Sequence, residues 1–214
     1  MNEITRICPW LNGFAHSKKP IFTPEECKII INHGLNFWEE KTGMIEKSGH
    51  RQGYKADLNY RNVTLYTVSK EDLGWGAHCN PQVSGSWFLE KIYDNIQKFN
   101  SDEEFGFGFD IRGMFEPPSL MKYESPSGKY DWHIDIGSEE GMSTRKIAYS
   151  LHLNPGEYEG GELQWLMGND PSTLDGATIG TMTLFPTYLL HRVTEVTSGI
   201  RYALVGWVHG DSFR

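Results

Sequence analysis

The sequence predicts an α+β fold that is mainly β, with a sandwich or jelly-roll core buttressed by helices nearer the N-terminus. Two amphipathic helical patterns lie in the first half, and short aromatic or β-branched runs follow one another from about residue 105. Turn-forming residues separate these runs, as in β-sandwiches and jelly rolls. We expect a single domain over residues 1–214, with a helical part to about residue 104 and the jelly roll from about residue 105.

The first helix has a clear N-terminal signal. The segment 23–26 (Thr-Pro-Glu-Glu) combines a capping hydroxyl, a proline at the first helical position and an acid three residues after the cap. An apolar face follows, which predicts a helix over residues 27–40. A second helix is predicted over about residues 83–99, where apolar side chains recur at i, i+4 spacing opposite charged ones. Between the helices, residues 62–68 predict a strand.

Eight further strands are predicted in the second half of the chain. Their ranges are 105–112, 119–123, 130–136, 146–153, 161–166, 181–185, 189–196 and 200–209. Glycine- and proline-containing turn signals fall between them, at residues 126–128, 154–156, 170–171 and 197–199. Many short strands at this spacing favour a sandwich or jelly roll.

Composition excludes several classes of function. The net charge of −8 argues against nucleic acid as a partner, because affinity for a phosphate backbone comes from basic patches. Cys8, Cys27 and Cys79 are an odd number without a CxxC pair, so we expect reduced thiols and no thiolate zinc site. The first residues lack a signal-peptide pattern, and no apolar run is long enough to span a bilayer. We therefore expect a cytoplasmic protein without a membrane partner.

The run 130–135 (Tyr-Asp-Trp-His-Ile-Asp) carries the first candidate metal ligands. Residues i and i+2 of a strand point to the same face, so His133 and Asp135 can converge on one ion while Ile134 turns into the opposite layer. His191, near the start of a late strand, supplies a third ligand. Two imidazoles and one carboxylate form the facial triad that suits non-haem Fe(II) and leaves other coordination positions open.

Arg201 follows His191 by ten residues, across the turn signal 197–199. If the two segments form a hairpin with an odd-numbered loop, both side chains share a face, roughly four residues apart along the strands. That separation suits a five-carbon diacid lying between the arginine and the metal. Guanidinium binds a carboxylate through two parallel hydrogen bonds, which favours arginine at a buried site. A two-residue loop would place Arg201 on the wrong face.

From Ser119 to His209 the chain resembles the catalytic core of the prolyl 4-hydroxylase branch of the 2-oxoglutarate/Fe(II) oxygenases. The matching segments are MKYESPSGKYDWHID, AYSLHLNPGEYEGGELQW and GTMTLFPTYLLHRVTEVTSGIRYALVGW. The resemblance implies that His133, Asp135 and His191 bind iron and that Arg201 holds the distal carboxylate of 2-oxoglutarate. It also implies O2 as co-substrate and makes ascorbate a candidate reductant. Many members of this branch have lysine in place of Arg201.

The resemblance extends to five more positions. Tyr123 matches a tyrosine of the 2-oxoglutarate pocket, His152 lies where some relatives place a tyrosine near the distal carboxylate, and Thr183 adds a hydroxyl there. Trp207 matches a tryptophan beside the substrate opening, and Arg61 matches an arginine that contacts substrate. Tyr123, His152 and Thr183 also fit a role in the core or in strand pairing.

The resemblance points to a protein or peptide substrate, with a prolyl residue as the most specific hypothesis. Two alternatives are hydroxylation of a free amino acid or other small metabolite, and a non-catalytic jelly-roll binding module. Nucleic-acid demethylases of the same superfamily are disfavoured, because they carry a further arginine where this chain has Trp207. The polar segment 43–59 is interpreted either as a mobile lid over the substrate or as an ordinary surface loop.

Overall fold

The computed structural model describes two α-helices, one short 3-10 helix (Met142–Thr144) and fifteen strands. It covers residues 13–43, 45–46, 54–55, 57–69, 86–102, 106–138 and 141–212. The α-helices are α1 (Pro24–Phe37) and α2 (Ser86–Asn100). The strands are β1 (Ala15–His16), β2 (Glu39–Thr42), β3 (Ile45–Glu46), β4 (Tyr54–Lys55), β5 (Arg61–Asn62), β6 (Thr64–Thr67), β7 (Ile111–Gly113), β8 (Ser119–Glu124), β9 (Gly128–His133), β10 (Arg145–His152), β11 (Tyr158–Gly160), β12 (Leu163–Leu166), β13 (Pro171–Thr173), β14 (Met182–Pro186) and β15 (His191–Gly210).

The strands form two sheets that share the long strand β15. The major sheet has the order β1-β14-β10-β15-β8-β6-β2, with β7 beside the end of β15. The minor sheet joins β5, β9, β11, β12 and β13 to the first part of β15. Strands β3 and β4 pair separately. The mainly β prediction with a jelly-roll core is confirmed. None of the described helices is long and apolar enough to cross a membrane.

Helix α1 begins as predicted and ends earlier than predicted. The Thr23 hydroxyl accepts the N–H of Glu26, and the Glu26 carboxylate accepts the N–H of Thr23, which completes a capping box. The predicted extension to residue 40 is wrong. Trp38 adopts an extended backbone, and Glu39–Thr42 becomes strand β2, antiparallel to β6. Pairing at the sheet edge therefore outweighs the helical pattern of these last residues.

Helix α2 is confirmed from residue 86, whereas residues 83–85 of the prediction lie outside the described part of the chain. Residue 105 of the next predicted strand also lies outside the described part, and the prediction is wrong for residues 106–110, since β7 covers residues 111–113. Asn100 explains this difference. Its side chain donates to the carbonyl of Phe109 and accepts the N–H of Phe109, while its own carbonyl accepts the N–H of Gly108. These bonds tie the segment to the end of α2.

One predicted strand and one predicted turn are wrong because the chain crosses between sheets at these positions. The run 62–68 divides at Val63 into β5, which pairs with the minor sheet, and β6, which pairs with the major sheet. The turn expected at 197–199 does not form. Ser198 and Gly199 pair with β11, and the chain continues as β15 from the minor into the major sheet. Gly199 has a φ of +76°, a conformation that favours glycine at this change of partner.

The other predicted core strands form within a few residues of their predicted limits, as β8, β10, β12 and β14. Strands β11 and β13 were not predicted, and neither were β1 to β4 in the first part of the chain. Strand β13 begins at Pro171, where a turn was expected. Among the described strands, β13 pairs with β12 alone, so it is an edge strand, where proline costs no ladder hydrogen bond.

Two hydrophobic cores lie on opposite faces of the major sheet. Along β10, Tyr149 and Leu151 pack in the helix-side core with residues of α1 and α2. The alternate residue Ala148 packs in the inter-sheet core with Trp165 and Phe185. This alternation follows the period of two of a strand, so β10 separates the helices from the space between the sheets.

Adjacent isoleucines of α1 provide a test of the helix-side core. Ile30 is 2% exposed and Ile29 is 56% exposed. We expect Ile30→Ala to lower the free energy of unfolding by about 2–5 kcal/mol, because it removes buried methylene groups and leaves a cavity. Ile29→Ala should change it by less than about 0.5 kcal/mol. Urea denaturation measures both, and equal effects would contradict the orientation of α1.

Candidate functional site

A cavity of about 500 Å³ lies between the major and minor sheets. Its walls include Tyr123 and Arg201 from the major sheet and His133 and His191 from the minor sheet. Asp135 is the only acidic residue among the described residues of the lining. The cavity is thus a polar pocket bounded by both sheets, next to the inter-sheet core.

His133 and Asp135 reach this cavity in a different way from that expected. Strand β9 ends at His133, so the predicted continuation to residue 136 is wrong, and Asp135 lies in the segment that follows. The Asp135 N–H donates to the carbonyl of Thr187 at 2.8 Å. Ile134 does not enter an opposite layer but is 47% exposed at the cavity. The backbone hydrogen bond between Asp135 and Thr187 lies outside the strand ladder, and it holds Asp135 where its carboxylate lines the cavity.

His191 completes the cluster from the first position of β15, where it pairs with both His133 and Trp165. Its Nε2 lies 3.6 Å from Asp135 Oδ2, and His133 Nε2 lies 3.8 Å from Asp135 Oδ1. One ligand atom from each of the three residues lies within 4.8 Å of the others. These three donors can all contact one ion.

Hydrogen bonds set the tautomer of both imidazoles. The Nδ1–H of His133 donates to the carbonyl of Asp131 at 2.7 Å, and that of His191 donates to the carbonyl of Leu189 at 2.8 Å. Each bond leaves the Nε2 lone pair directed toward the Asp135 carboxylate. A second ring nitrogen held by a backbone carbonyl is the usual arrangement of a metal-binding histidine.

The electrostatic surroundings also favour the protonation states in which His133 and Asp135 can bind a metal. Burial, reinforced by the neighbouring His191, lowers the pKa of His133 to about 3, so its imidazole is neutral at neutral pH. Burial alone would raise the pKa of Asp135, but His191 and His133 outweigh it and the pKa is lowered. His133 therefore offers a neutral imidazole and Asp135 an ionised carboxylate, and together with Nε2 of His191 they form a donor set that fits a facial-triad Fe(II) ion.

Arg201 faces the same cavity from the major sheet, where it pairs with Tyr123 of β8. It is 2% exposed, and its guanidinium carbon lies 5.1 Å from the centre of the Tyr123 ring. No acidic side chain among the described residues forms an ion pair with it. Gly161, with a φ of +61°, leaves space for it, since a Cβ there would meet Arg201 Cδ at 2.9 Å. A buried cation in such surroundings favours an anionic ligand.

His152 and Thr183 lie deeper than the cavity lining, on neighbouring strands β10 and β14. His152 Nε2 and Thr183 Oγ1 form a hydrogen bond of 2.8 Å, and His16 Nδ1 bonds the same hydroxyl at 3.0 Å. Burial, with the charge of Arg201 next in importance, lowers the pKa of His152 well below its usual value. A neutral polar cluster therefore adjoins Arg201, and His16 is a member that the sequence did not identify.

The two residues proposed to contact substrate lie on opposite sides of the cavity. The Arg61 guanidinium carbon lies 4.3 Å from the centre of the Tyr130 ring. The Tyr130 ring in turn stacks on the His133 ring, with 3.4 Å between the ring centres. Burial raises the pKa of Tyr130 to about 12. Trp207 lies under the guanidinium of Arg145, at 3.6 Å from its carbon. The sequence analysis did not assign a role to Tyr130, although it begins the run 130–135, and it did not identify Arg145, which belongs to no recognisable motif.

Comparisons with known proteins relate the chain to one superfamily of oxygenases. The model of the 2OG-Fe(II) oxygenase superfamily matches residues 118–209. A PKHD-type hydroxylase of Hyphomonas neptunium is 35% identical over 100 residues, which are 44% of this chain and 43% of that protein. A PKHD-type hydroxylase of Acidovorax ebreus is 36% identical over 136 residues, or 60% of this chain and 59% of that protein. The chain thus spans about half the length of these curated relatives.

Solved structures of the same fold cover nearly the whole chain. A prolyl hydroxylase from Trichoplax adhaerens, in complex with a peptide fragment of the hypoxia inducible factor oxygen degradation domain, has a TM-score of 0.69. It is 17% identical and covers 95% of this chain and 87% of that one. A prolyl-4-hydroxylase of Pseudomonas putida has a TM-score of 0.63 and 14% identity, with 94% of each chain covered. At these identities the likeness concerns the fold.

We expect the cluster of His133, Asp135 and His191 to bind a divalent metal. Substituting His133, Asp135 or His191 by alanine should abolish stoichiometric binding of Co(II), followed by its visible absorption, because two donors hold an ion far less tightly than three. His33→Ala is the control, since His33 lies on α1 against Phe37 and Trp38. Undiminished binding by all three cluster variants would contradict the assignment.

Proposed function

We propose that the chain is an Fe(II)- and 2-oxoglutarate-dependent dioxygenase that hydroxylates a C–H bond. Residues 118–209 match the model of the 2OG-Fe(II) oxygenase superfamily, and the fold resembles that of a solved prolyl hydroxylase. The observation that carries the proposal is the arrangement of the cavity. A His-Asp-His cluster lies on one side, and a buried arginine without an acidic partner among the described residues lies on the other. We propose further that residues 1–214 form one domain, since strands from both parts share the major sheet.

His133, Asp135 and His191 would hold the iron. Bound there, iron supplies the oxidative chemistry that couples decarboxylation of 2-oxoglutarate to succinate with hydroxylation of substrate by O2. A set of three protein donors matches the facial triad, which leaves other coordination positions of the metal open. The carboxylate of Asp135 balances part of the metal charge inside a cavity that is otherwise lined by neutral and cationic side chains.

Arg201 is proposed to bind the distal carboxylate of 2-oxoglutarate. Its guanidinium matches a carboxylate through two parallel hydrogen bonds, and the diacid would supply the negative charge that the described surroundings of Arg201 lack. Burial raises the pKa of the Tyr123 phenol, which therefore stays protonated and can donate a hydrogen bond. His152 and Thr183 are proposed to support the same end of the pocket through their mutual hydrogen bond.

The walls between the two ends would exclude water. Met121, Leu163, Phe185 and Val193 belong to the inter-sheet core and line the cavity between the sheets. Their apolar surface restricts solvent access around the cluster, so that electrostatic contacts of bound groups are stronger than in water. These apolar residues would shield the bound metal and co-substrate from water, and the metal would supply the oxidative chemistry.

The substrate is proposed to be a prolyl residue of a protein or peptide. Two structural neighbours are prolyl hydroxylases, and one of them is in complex with a peptide fragment. Arg61 and Trp207 are proposed to contact the substrate, because both line the cavity and both are held by stacking against charged or aromatic groups. Ascorbate as a reductant, a cytoplasmic location and the absence of a nucleic-acid partner remain predictions from the sequence.

The proposed reaction has a direct assay. With Fe(II), 2-oxoglutarate, O2 and a library of proline-containing peptides, we expect succinate release and a mass gain of one oxygen atom in some peptides. A matched library in which alanine replaces proline tests the prolyl hypothesis, and oxidation of both libraries alike would contradict it. If no library or free amino acid elicits succinate while His133→Ala retains iron binding, the oxygenase proposal itself is wrong.

Variants of Arg201 test its proposed role. We expect Arg201→Met to raise the KM for 2-oxoglutarate by about 10- to 100-fold, because hydrogen bonds to a charged group contribute about 1.5–3 kcal/mol. Arg201→Lys should have a smaller effect, since it keeps the charge but loses the bidentate geometry.

Arg192→Met is the control for Arg201→Met, because Arg192 is the next residue after His191 on β15 and stacks on Trp132, away from the cavity. A KM for 2-oxoglutarate that is unchanged in Arg201→Met and Arg192→Met alike would exclude Arg201 as the carboxylate-binding residue.

A further inference from the structure

Arg145, the first residue of β10, uses its whole guanidinium in contacts within the protein. Its Nε donates to Glu116 Oε1 at 2.7 Å, its Nη2 donates to Glu116 Oε2, and its Nη1 donates to the backbone carbonyl of Asp135 at 3.0 Å. The Glu116 carboxylate therefore neutralises the charge of Arg145. Arg145 thus forms internal contacts that support the cavity wall. Arg201 differs, because its charge has no acidic partner among the described residues.

Asp135 depends on such support because it lies beyond the end of β9, outside any strand ladder. Its N–H donates to the carbonyl of Thr187, and its carbonyl accepts from Arg145. The Thr187 hydroxyl in turn donates to the carbonyl of Arg145 at 2.8 Å. These three bonds form a closed, partly buried ring among Arg145, Asp135 and Thr187, so the Arg145 side chain is coupled to the position of the Asp135 backbone.

The flat face of the same guanidinium also holds Trp207. The guanidinium carbon of Arg145 lies 3.6 Å from the centre of the indole ring, and Trp207 lines the cavity. One planar cation therefore contacts the backbone of Asp135 through its edge and the indole ring of Trp207 through its face.

We propose that Arg145 is a positioning residue that fixes the Asp135 carboxylate relative to His133 and His191 and thereby sets the affinity of the cluster for its metal. The proposal rests on the proposed metal site. A carboxylate ligand is effective only when its oxygen is held in place, and groups that orient ligands contribute strongly to metal affinity. Lysine cannot replace Arg145, because a compact ammonium lacks the planar fork that reaches Glu116 and Asp135 while stacking on an indole.

Arg192 is a matched control on the opposite face of the minor sheet. Its guanidinium carbon lies 4.6 Å from the centre of the Trp132 ring, and its Nε donates to Gln164 Oε1 at 2.8 Å. It is therefore also an arginine that combines stacking with a hydrogen bond, and it follows the cluster residue His191 directly. It contacts none of the cluster residues through these bonds.

Titration of the metal-free protein with Co(II), followed by visible absorption, tests the proposal without any substrate. We expect Arg145→Lys to weaken Co(II) binding by about 10- to 100-fold and to change the intensity of the absorption bands, because the carboxylate is displaced. Arg192→Lys should bind as tightly as the unchanged protein. If Arg145→Lys lowers only the melting temperature and binds Co(II) with unchanged affinity and spectrum, Arg145 has a purely structural role and the proposal fails.

Two further outcomes separate this proposal from the proposed function. If the unchanged protein binds no Co(II), both fail. If it binds Co(II) in a manner that requires Asp135, yet Arg145→Lys binds equally well, the metal site stands and the role of Arg145 is refuted. Should Arg145→Lys not fold, Glu116→Gln takes its place, since it removes the partner that orients Arg145. We expect several-fold weaker Co(II) binding there, and unchanged binding overturns the proposal.

Discussion

Strand β15 belongs to both sheets, and this sharing is the constraint on which the cavity depends. Its first residue, His191, pairs with the minor sheet, and Arg201 pairs with the major sheet after the change of partners at Gly199. Because one continuous backbone spans the two sheets, the distance between the histidine and the arginine cannot vary independently of the sheet spacing. The ends of the proposed co-substrate pocket are therefore set by the main chain and not by flexible side chains.

The polar side chains that line the cavity were largely predictable from the sequence. Few residue types form a facial triad, and the sequence pattern indicates them in their order along the chain. His133, Asp135, His191, Arg201 and Tyr123 all line the cavity. Their roles as ligands remain predictions. The route by which they converge was predicted wrongly. The segment 197–199 has the composition of a turn, yet its backbone pairs with β11, a partner distant in sequence that no local pattern reveals.

The supporting contacts were hidden from the sequence for a different physical reason. Arg145 acts through a backbone carbonyl, an aromatic face and Glu116, and none of these contacts constrains residue types at a fixed spacing. His16 joins His152 and Thr183 only because β1 pairs with β14 at the far edge of the major sheet. A metal ligand is constrained by chemistry, whereas a residue that supports it is constrained by three-dimensional packing.

The division of the protein into two cores has a consequence for how its sequence can diverge. The helix-side core and the inter-sheet core lie on opposite faces of the major sheet, and only the second shares residues with the cavity. No described residue of the helix-side core lines the cavity, so substitutions in that core change none of the pocket side chains. Pocket residues can likewise be exchanged without removing a side chain that packs α1 and α2 against the major sheet. The architecture thus separates the residues that stabilise the helices from those that line the pocket, which lets the pocket change in sequence while the helix-side core is kept.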